Sequence, residues 1–231
     1  MIALAVFVGA WIQAVVGLGV GLVAAPVVAI LEPSLMPSLP LWIGLFTSGL
    51  SLAGERSHVD WHAVRWTLSG RVLGLLPGVW LLVVLSPREV GITVAAVVLL
   101  AVVLSWRTLD VPVNRGTMVG AGLLGGVGGA VTSIAGPPVA LLFQHRRPSE
   151  VRSTLAVYFF VGVVLTLTAL AVAGRLPWGS LILAVLVSPF LLGGILLGAR
   201  TRDRIPRERF RVAVLVVCAA SAVVLLARSL T

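Results

Sequence analysis

The sequence predicts an all-α integral membrane protein, and three observations carry that prediction. Hydrophobic residues make up 59% of the 231 and charged residues 11%, with a mean hydropathy of +1.12; a soluble domain carries roughly 25% charged residues. The ionisable side chains gather between apolar runs of about 20 residues, the length that crosses a ~30 Å hydrocarbon core as helix. Two of those runs contain a glycine cluster followed by proline and a second apolar stretch, a design that in membrane transporters marks discontinuous helices near a substrate site.

Eight apolar segments are expected, near residues 2–31, 38–54, 62–85, 88–106, 116–143, 151–174, 177–199 and 208–228. They are apolar on every face rather than alternating over about ten residues, which selects helices over barrel strands. Segment 2–31 has no basic residue ahead of it, so it reads as mature chain rather than a cleaved signal peptide. It carries Gly17, Gly19 and Gly21 before Pro26 in VVGLGVGLVAAPVVAIL. Segment 62–85 holds Arg71 about nine residues in, beside Gly70, Gly74 and Gly78, whose spacing suits a helix-packing seam. Segment 116–143 repeats the broken design, with Gly125, Gly126, Gly128 and Gly129 before Gly136, Pro137 and Pro138 in GGVGGAVTSIAGPPVALL. Segment 177–199 carries a second packing seam, Gly194 with Gly198, and the last segment holds Cys218. A single cysteine excludes an intramolecular disulfide and multi-cysteine metal sites.

The net charge of +9 comes from 17 arginines and no lysine, spread over short loops. That distribution is a signature of membrane topology and not of a nucleic-acid surface. Landmarks recur in the same order: Pro26 and Pro138, Asp60-Trp61 and Pro177-Trp178, Ser86-Pro87-Arg88 and Ile205-Pro206-Arg207, at offsets of 112, 117 and 119. They suggest two related four-segment halves, 1–110 and 111–231, forming one membrane domain. If every segment crosses, the halves are parallel and the loop arginines divide ten to six. If the long first and fifth segments instead dip in and return as half-helices, the halves are inverted and the division becomes thirteen to three, which the positive-inside rule prefers. In both arrangements the two breaks meet near the middle of the membrane.

A helix broken in hydrocarbon is tolerated only where protein or a watery cavity covers its open backbone groups, and the N-terminal end of a half-helix suits an anion. Pro26 and Pro138 fit the first turn of such half-helices. The candidate substrate-binding set is therefore Gln13, Gly17, Gly19, Gly21, Pro26, Thr132, Ser133, Gly136, Pro137 and Pro138, with Arg71 as counter-charge. The competing readings are that the glycines only pack helices and that Arg71 sits at an aqueous interface. His58 and His62 are four apart but lack a carboxylate arrangement for a metal. Ser133, in VTSIAG, lacks the first glycine of a nucleophile elbow, and all eight acidic residues fall at or near segment ends. Neither an enzyme nor a cofactor is indicated. The implied partners are a small anion and the lipid bilayer, with a homo-oligomer left open, and the implied location is the cell membrane.

The elements QAVVGLGVGLVAAPVVAIL, ERSHVDWHAVRW and SIAGPPVALLFQH, spread over essentially the whole length, resemble the sulfite exporter TauE/SafE family of membrane permeases. The resemblance implies two related four-helix units and transport of small sulfur-containing or organic anions. It places the family's glycine motif at Gly17, Gly19, Gly21 and Pro26, and its partner at Gly136, Pro137 and Pro138. A non-transporting membrane scaffold is the alternative from another class.

Overall fold

A computed structural model describes residues 2–16, 20–54, 58–106, 111–201 and 207–230. These residues form ten α-helices, with a short 3-10 turn at Pro33–Leu35, and no strand among them. The helices are α1 Ile2–Val16, α2 Val20–Leu31, α3 Ser38–Gly54, α4 Trp61–Val84, α5 Pro87–Trp106, α6 Arg115–Thr132, α7 Gly136–Leu142, α8 Pro148–Val172, α9 Gly179–Thr201 and α10 Arg207–Leu230. Within α4, α5, α8 and α9 lie four stretches long and apolar enough to cross a membrane: Trp61–Val84, Pro87–Leu104, Ser149–Val172 and Gly179–Thr201.

The first and fifth apolar stretches are each two helices folded back on one another. A Cβ at Gly9 on α1 would lie 3.6 Å from the Val20 carbonyl and 3.7 Å from Val23, and Val6 and Ala10 share a core with Val20, Ala24 and Val28. Likewise Gly125, Gly128 and Gly129 of α6 lie against Ile134 and Ala135 at the turn, and Met118 packs in one cluster with Val139 and Leu142 of α7. Two hairpins result, α1/α2 and α6/α7, each with a glycine-rich flank. Pro138 stands in the first turn of α7. Pro26 does not stand in the first turn of α2; it is the seventh residue, inside the helix. Its missing N–H therefore leaves the Leu22 carbonyl, four residues earlier, without a helical donor.

Each hairpin is clamped by a glycine seam on another helix. A Cβ at Gly70 or Gly74 would overlap the carbonyls of Val119 or Leu123, and a Cβ at Gly122 or Gly126 would overlap those of Thr67 or Arg71. The α4 and α6 backbones therefore touch, as small residues permit where lipid supplies no hydrophobic drive between helices. Gly194 and Gly198 of α9 make the same approach to Phe7, Trp11 and Ala14 of α1. Around these seams α3 packs on α8, and α5 on α10.

Polar contacts pin the two ends of the bundle. At one end Asp60 caps α4 by accepting from the Ala63 N–H at 3.0 Å, and Arg146, just beyond α7, pairs with Asp60 and with Glu150. Burial alone would raise the Asp60 carboxyl, but the Arg146 hydrogen bond and the Ala63 N–H outweigh it and hold the group below its ordinary 3.8. At the other end Arg88 donates from Nε to the Ser229 carbonyl at 2.6 Å, and Arg175 from Nη2 to that of Val83 at 3.0 Å.

Two outcomes follow for thermal unfolding in detergent. Gly74→Ala forces two backbones apart and is expected to cost about 1–3 kcal/mol, whereas Gly120→Ala on α6, where a Cβ meets nothing, gains up to about 1 kcal/mol; equal effects would contradict the seam. Because the Asp60 pKa is depressed in the folded state, its contribution is fully present above pH 3.8 and is lost as pH falls through the lower folded value. Asp60→Asn, which keeps an N-cap acceptor, should remove that acid-side dependence at a cost of about 0.5–1 kcal/mol at neutral pH.

Candidate functional site

The α6/α7 turn meets the start of α2. Helix α6 ends at Thr132, whose Oγ1 donates to the Gly128 carbonyl at 2.7 Å and accepts from the Ile134 N–H at 3.3 Å. Ser133 follows in the left-handed region, φ 60°, with its N–H on the Gly129 carbonyl at 3.1 Å. That reversal aims the Ser133 carbonyl at the first turn of α2. A Cβ at Gly21 would lie 2.8 Å from that oxygen, so only glycine lets the start of α2 approach the α6/α7 turn this closely.

Between the α6/α7 turn and the start of α2 lies a cavity of about 50 Å³, room for a few waters or one small anion, since a single water needs roughly 10–15 Å³. Of the sequence-derived candidates, Gln13, Gly21, Arg71, Ser133 and Gly136 line it. Thr132 is buried behind the wall and holds the turn, and Pro137 and Pro138 build the start of α7. Pro26 is buried in the body of α2. Gly17 and Gly19 lie outside the described residues. The α7 N-terminus, expected to suit an anion, has fewer N–H groups to offer than an ordinary helix start: α7 has seven residues, and prolines at its second and third positions supply none. The first turn of α2 does border the cavity through Val20, Gly21 and Leu22, and first-turn N–H groups have no partner within their own helix.

Arg71 dominates the site. It lies in the middle of α4, 1% exposed, so it is not at an aqueous interface. Its Cζ stands 4.8 Å from the centroid of the Tyr158 ring, a cation–π distance. Its Nε and Nη1 are buried without a hydrogen-bond partner, and no ion pair to it is found among the described residues. Space for the guanidinium is made by glycine: a Cβ at Gly162 on α8 would overlap Cζ and Nε, and one at Gly129 would lie 3.3 Å from Nη2.

Sequence reasoning missed Thr47 and Ser48 on α3, which line the cavity, and Tyr158 and Gly162, which cradle Arg71. Two signals were available: Tyr158 is the chain's only tyrosine, and Gly162 is the one glycine in the interior of segment 151–174, whose other glycine, Gly174, closes it. At the arginine-poor end a second, open cavity of about 860 Å³ is bordered by Arg88, Arg175 and Arg228.

Apolar helices of membrane-crossing length around a buried polar cavity define a multi-pass membrane permease. The chain belongs to the sulfite exporter TauE/SafE family, whose profile matches residues 1–225. It is also similar to a Cupriavidus necator protein named "Probable sulfite/organosulfonate exporter TauE", with 27% identity over 203 residues, 83% of this chain and 79% of that relative. No solved structure matches the chain.

Gly162→Ala tests the cradle without removing the charge. The added methyl displaces the guanidinium and should weaken anion-dependent thermal stabilisation by about tenfold or more in apparent Kd, some 1.4 kcal/mol. Unchanged anion affinity in the folded variant would show that the position of Arg71 does not matter.

Proposed function

We propose that this chain exports a small sulfur oxyanion, sulfite or an organosulfonate, across the cell membrane through the cavity between the α6/α7 turn and the start of α2. The observation that carries the reading is Arg71, a buried guanidinium with two nitrogens unpartnered and no carboxylate paired with it among the described residues. A cation in such a place is costly unless something neutralises it, and an anion entering the cavity does so. Gln13, the first turn of α2 and the Ser133 turn surround that anion, while Gly21 and Gly136 let the backbones approach it. Family membership and the named relative favour sulfur oxyanions over other anions.

The proposed architecture is two inverted repeats, 1–110 and 111–231, with hairpins α1/α2 and α6/α7 as equivalents. The matched packing supports it: α1 is clamped by Gly194 and Gly198 of α9, and α6 by Gly70 and Gly74 of α4. The arginine-rich face is then cytoplasmic. Export needs no intramembrane proton carrier, because an inside-negative potential drives a monovalent anion outward by about 2.3 kcal/mol per 100 mV. Movement of one hairpin against the other opens the cavity to each side in turn.

Proteoliposomes holding a clamped potential should show sulfite flux that grows with the potential, and Arg71→Gln should abolish it while leaving folded protein. Folded wild-type protein that moves neither sulfite nor any sulfonate would favour a scaffold instead. The inverted arrangement predicts that Ser34→Cys, exposed beyond α2, is labelled by an impermeant thiol reagent from the periplasmic face; labelling from the cytoplasm would rule it out.

A further inference from the structure

The polar groups of the cavity are unevenly matched. Among the described residues that line it, Arg71 is the one formal charge, and none is acidic or a histidine. Three hydroxyls stand in its wall, and all three donate to backbone: Thr47 to the Ile43 and Gly44 carbonyls at 3.0 Å, Ser48 to that of Gly44 at 2.7 Å, and Ser133 to that of Thr132. Toward the cavity they therefore offer lone pairs, not protons. Gln13 adds a carboxamide oxygen, Oε1, that is buried and has no donor. Of the elements packed against Arg71, α6 presents glycines and α8 presents Tyr158 as the only other titratable side chain touching it among the described residues.

A site with one cation neutralises one negative charge. A dianion would leave a net negative charge in a cavity with room for only a few waters, and an uncompensated buried charge is strongly disfavoured. A ligand that only accepts hydrogen bonds would satisfy Arg71 and leave the Gln13 oxygen orphaned, a cost comparable to losing a hydrogen bond. Resting on the anion-exporter reading, we propose that the site takes a monoanion carrying its own hydrogen-bond donor, hydrogensulfite rather than the sulfite dianion, and that Gln13 is the residue that accepts from it. The anion's negative charge lies on Arg71 and its O–H points at Gln13 Oε1. Each turnover then carries one proton outward with the anion while still moving one net negative charge, with no titratable relay in the protein.

The test uses the purified wild-type protein and three probes: sodium hydrogensulfite titrated across the pH range in which it becomes sulfite, the dianion sulfate, and methanesulfonate, a monoanion with no donor. The readouts are thermal stabilisation and proteoliposome flux, with methanesulfonate, whose charge does not change with pH, reporting any titration of the protein itself. The expected result is an apparent affinity for total sulfite that falls about tenfold per pH unit once the monoanion is depleted, no effect of sulfate, and weaker binding of methanesulfonate than of hydrogensulfite. Gln13→Leu should then erase the preference for hydrogensulfite over methanesulfonate. A flat pH profile or equal stabilisation by sulfate overturns the monoanion assignment and leaves the anion-exporter reading standing. Methanesulfonate binding as tightly as hydrogensulfite to the wild type overturns the role of Gln13. An absence of response to every anion overturns the exporter reading and this inference with it.

Discussion

The buried guanidinium of Arg71 is the constraint on which the centre of the molecule depends. Holding that group 1% exposed requires volume, and the volume comes from helices that carry no side chain where they face it. Gly162 and Gly129 vacate the space, while Gly122 and Gly126 bring α6 against the backbone of α4 beside it. Tyr158 supplies the remaining wall, its ring face toward the cation. Remove the arginine and these choices lose their purpose, because a leucine in its place would pack against ordinary side chains. The glycines of this region therefore serve two ends, close helix crossing and room for a charge.

Much of this was legible in the chain because the signals were local. Segment bounds such as 38–54 and 62–85 fall within a residue of α3 and α4, since hydropathy and flanking charge decide where a membrane helix starts. The breaks announced themselves through Gly and Pro, and Arg71 stood out as a charge inside an apolar run. What escaped was decided by tertiary contact. Thr47 and Ser48 look like ordinary helix-interior hydroxyls until α3 turns them to the cavity. Pro26 read as a helix start from its distance to the glycines, but the helix begins at Val20 and runs through it. The α7 N-terminus read as an anion site because a broken helix suggests free amides, yet the two prolines that force the break also remove two of those amides.

The two hairpins solve the backbone problem of an interrupted helix in different ways. At the α6/α7 turn, Thr132 and the left-handed Ser133 satisfy groups locally, and the exposed carbonyl of Ser133 is met by α2. At the α1/α2 hairpin the second helix is longer and keeps its proline internal. The two sides of the cavity are therefore unlike in chemistry: the α6/α7 turn presents a carbonyl, α2 a helix start. The gap between them is polarised rather than symmetric, and under the exporter proposal it would give a single favoured orientation to a ligand that has both a charged and a donor end.

The glycine seams have a mechanical consequence. Where backbones touch, as α4 does with α6 and α1 with α9, there is no layer of side chains to slide or shear, so each pair behaves as one stiff body. The Asp60–Arg146 clasp ties the end of α7 to the start of α4 and locks the first of these bodies at its rim. Each stiff body joins a helix from before residue 110 to one from after it, α4 with α6 and α1 with α9, so the boundary across which the molecule can flex does not follow the order of the chain.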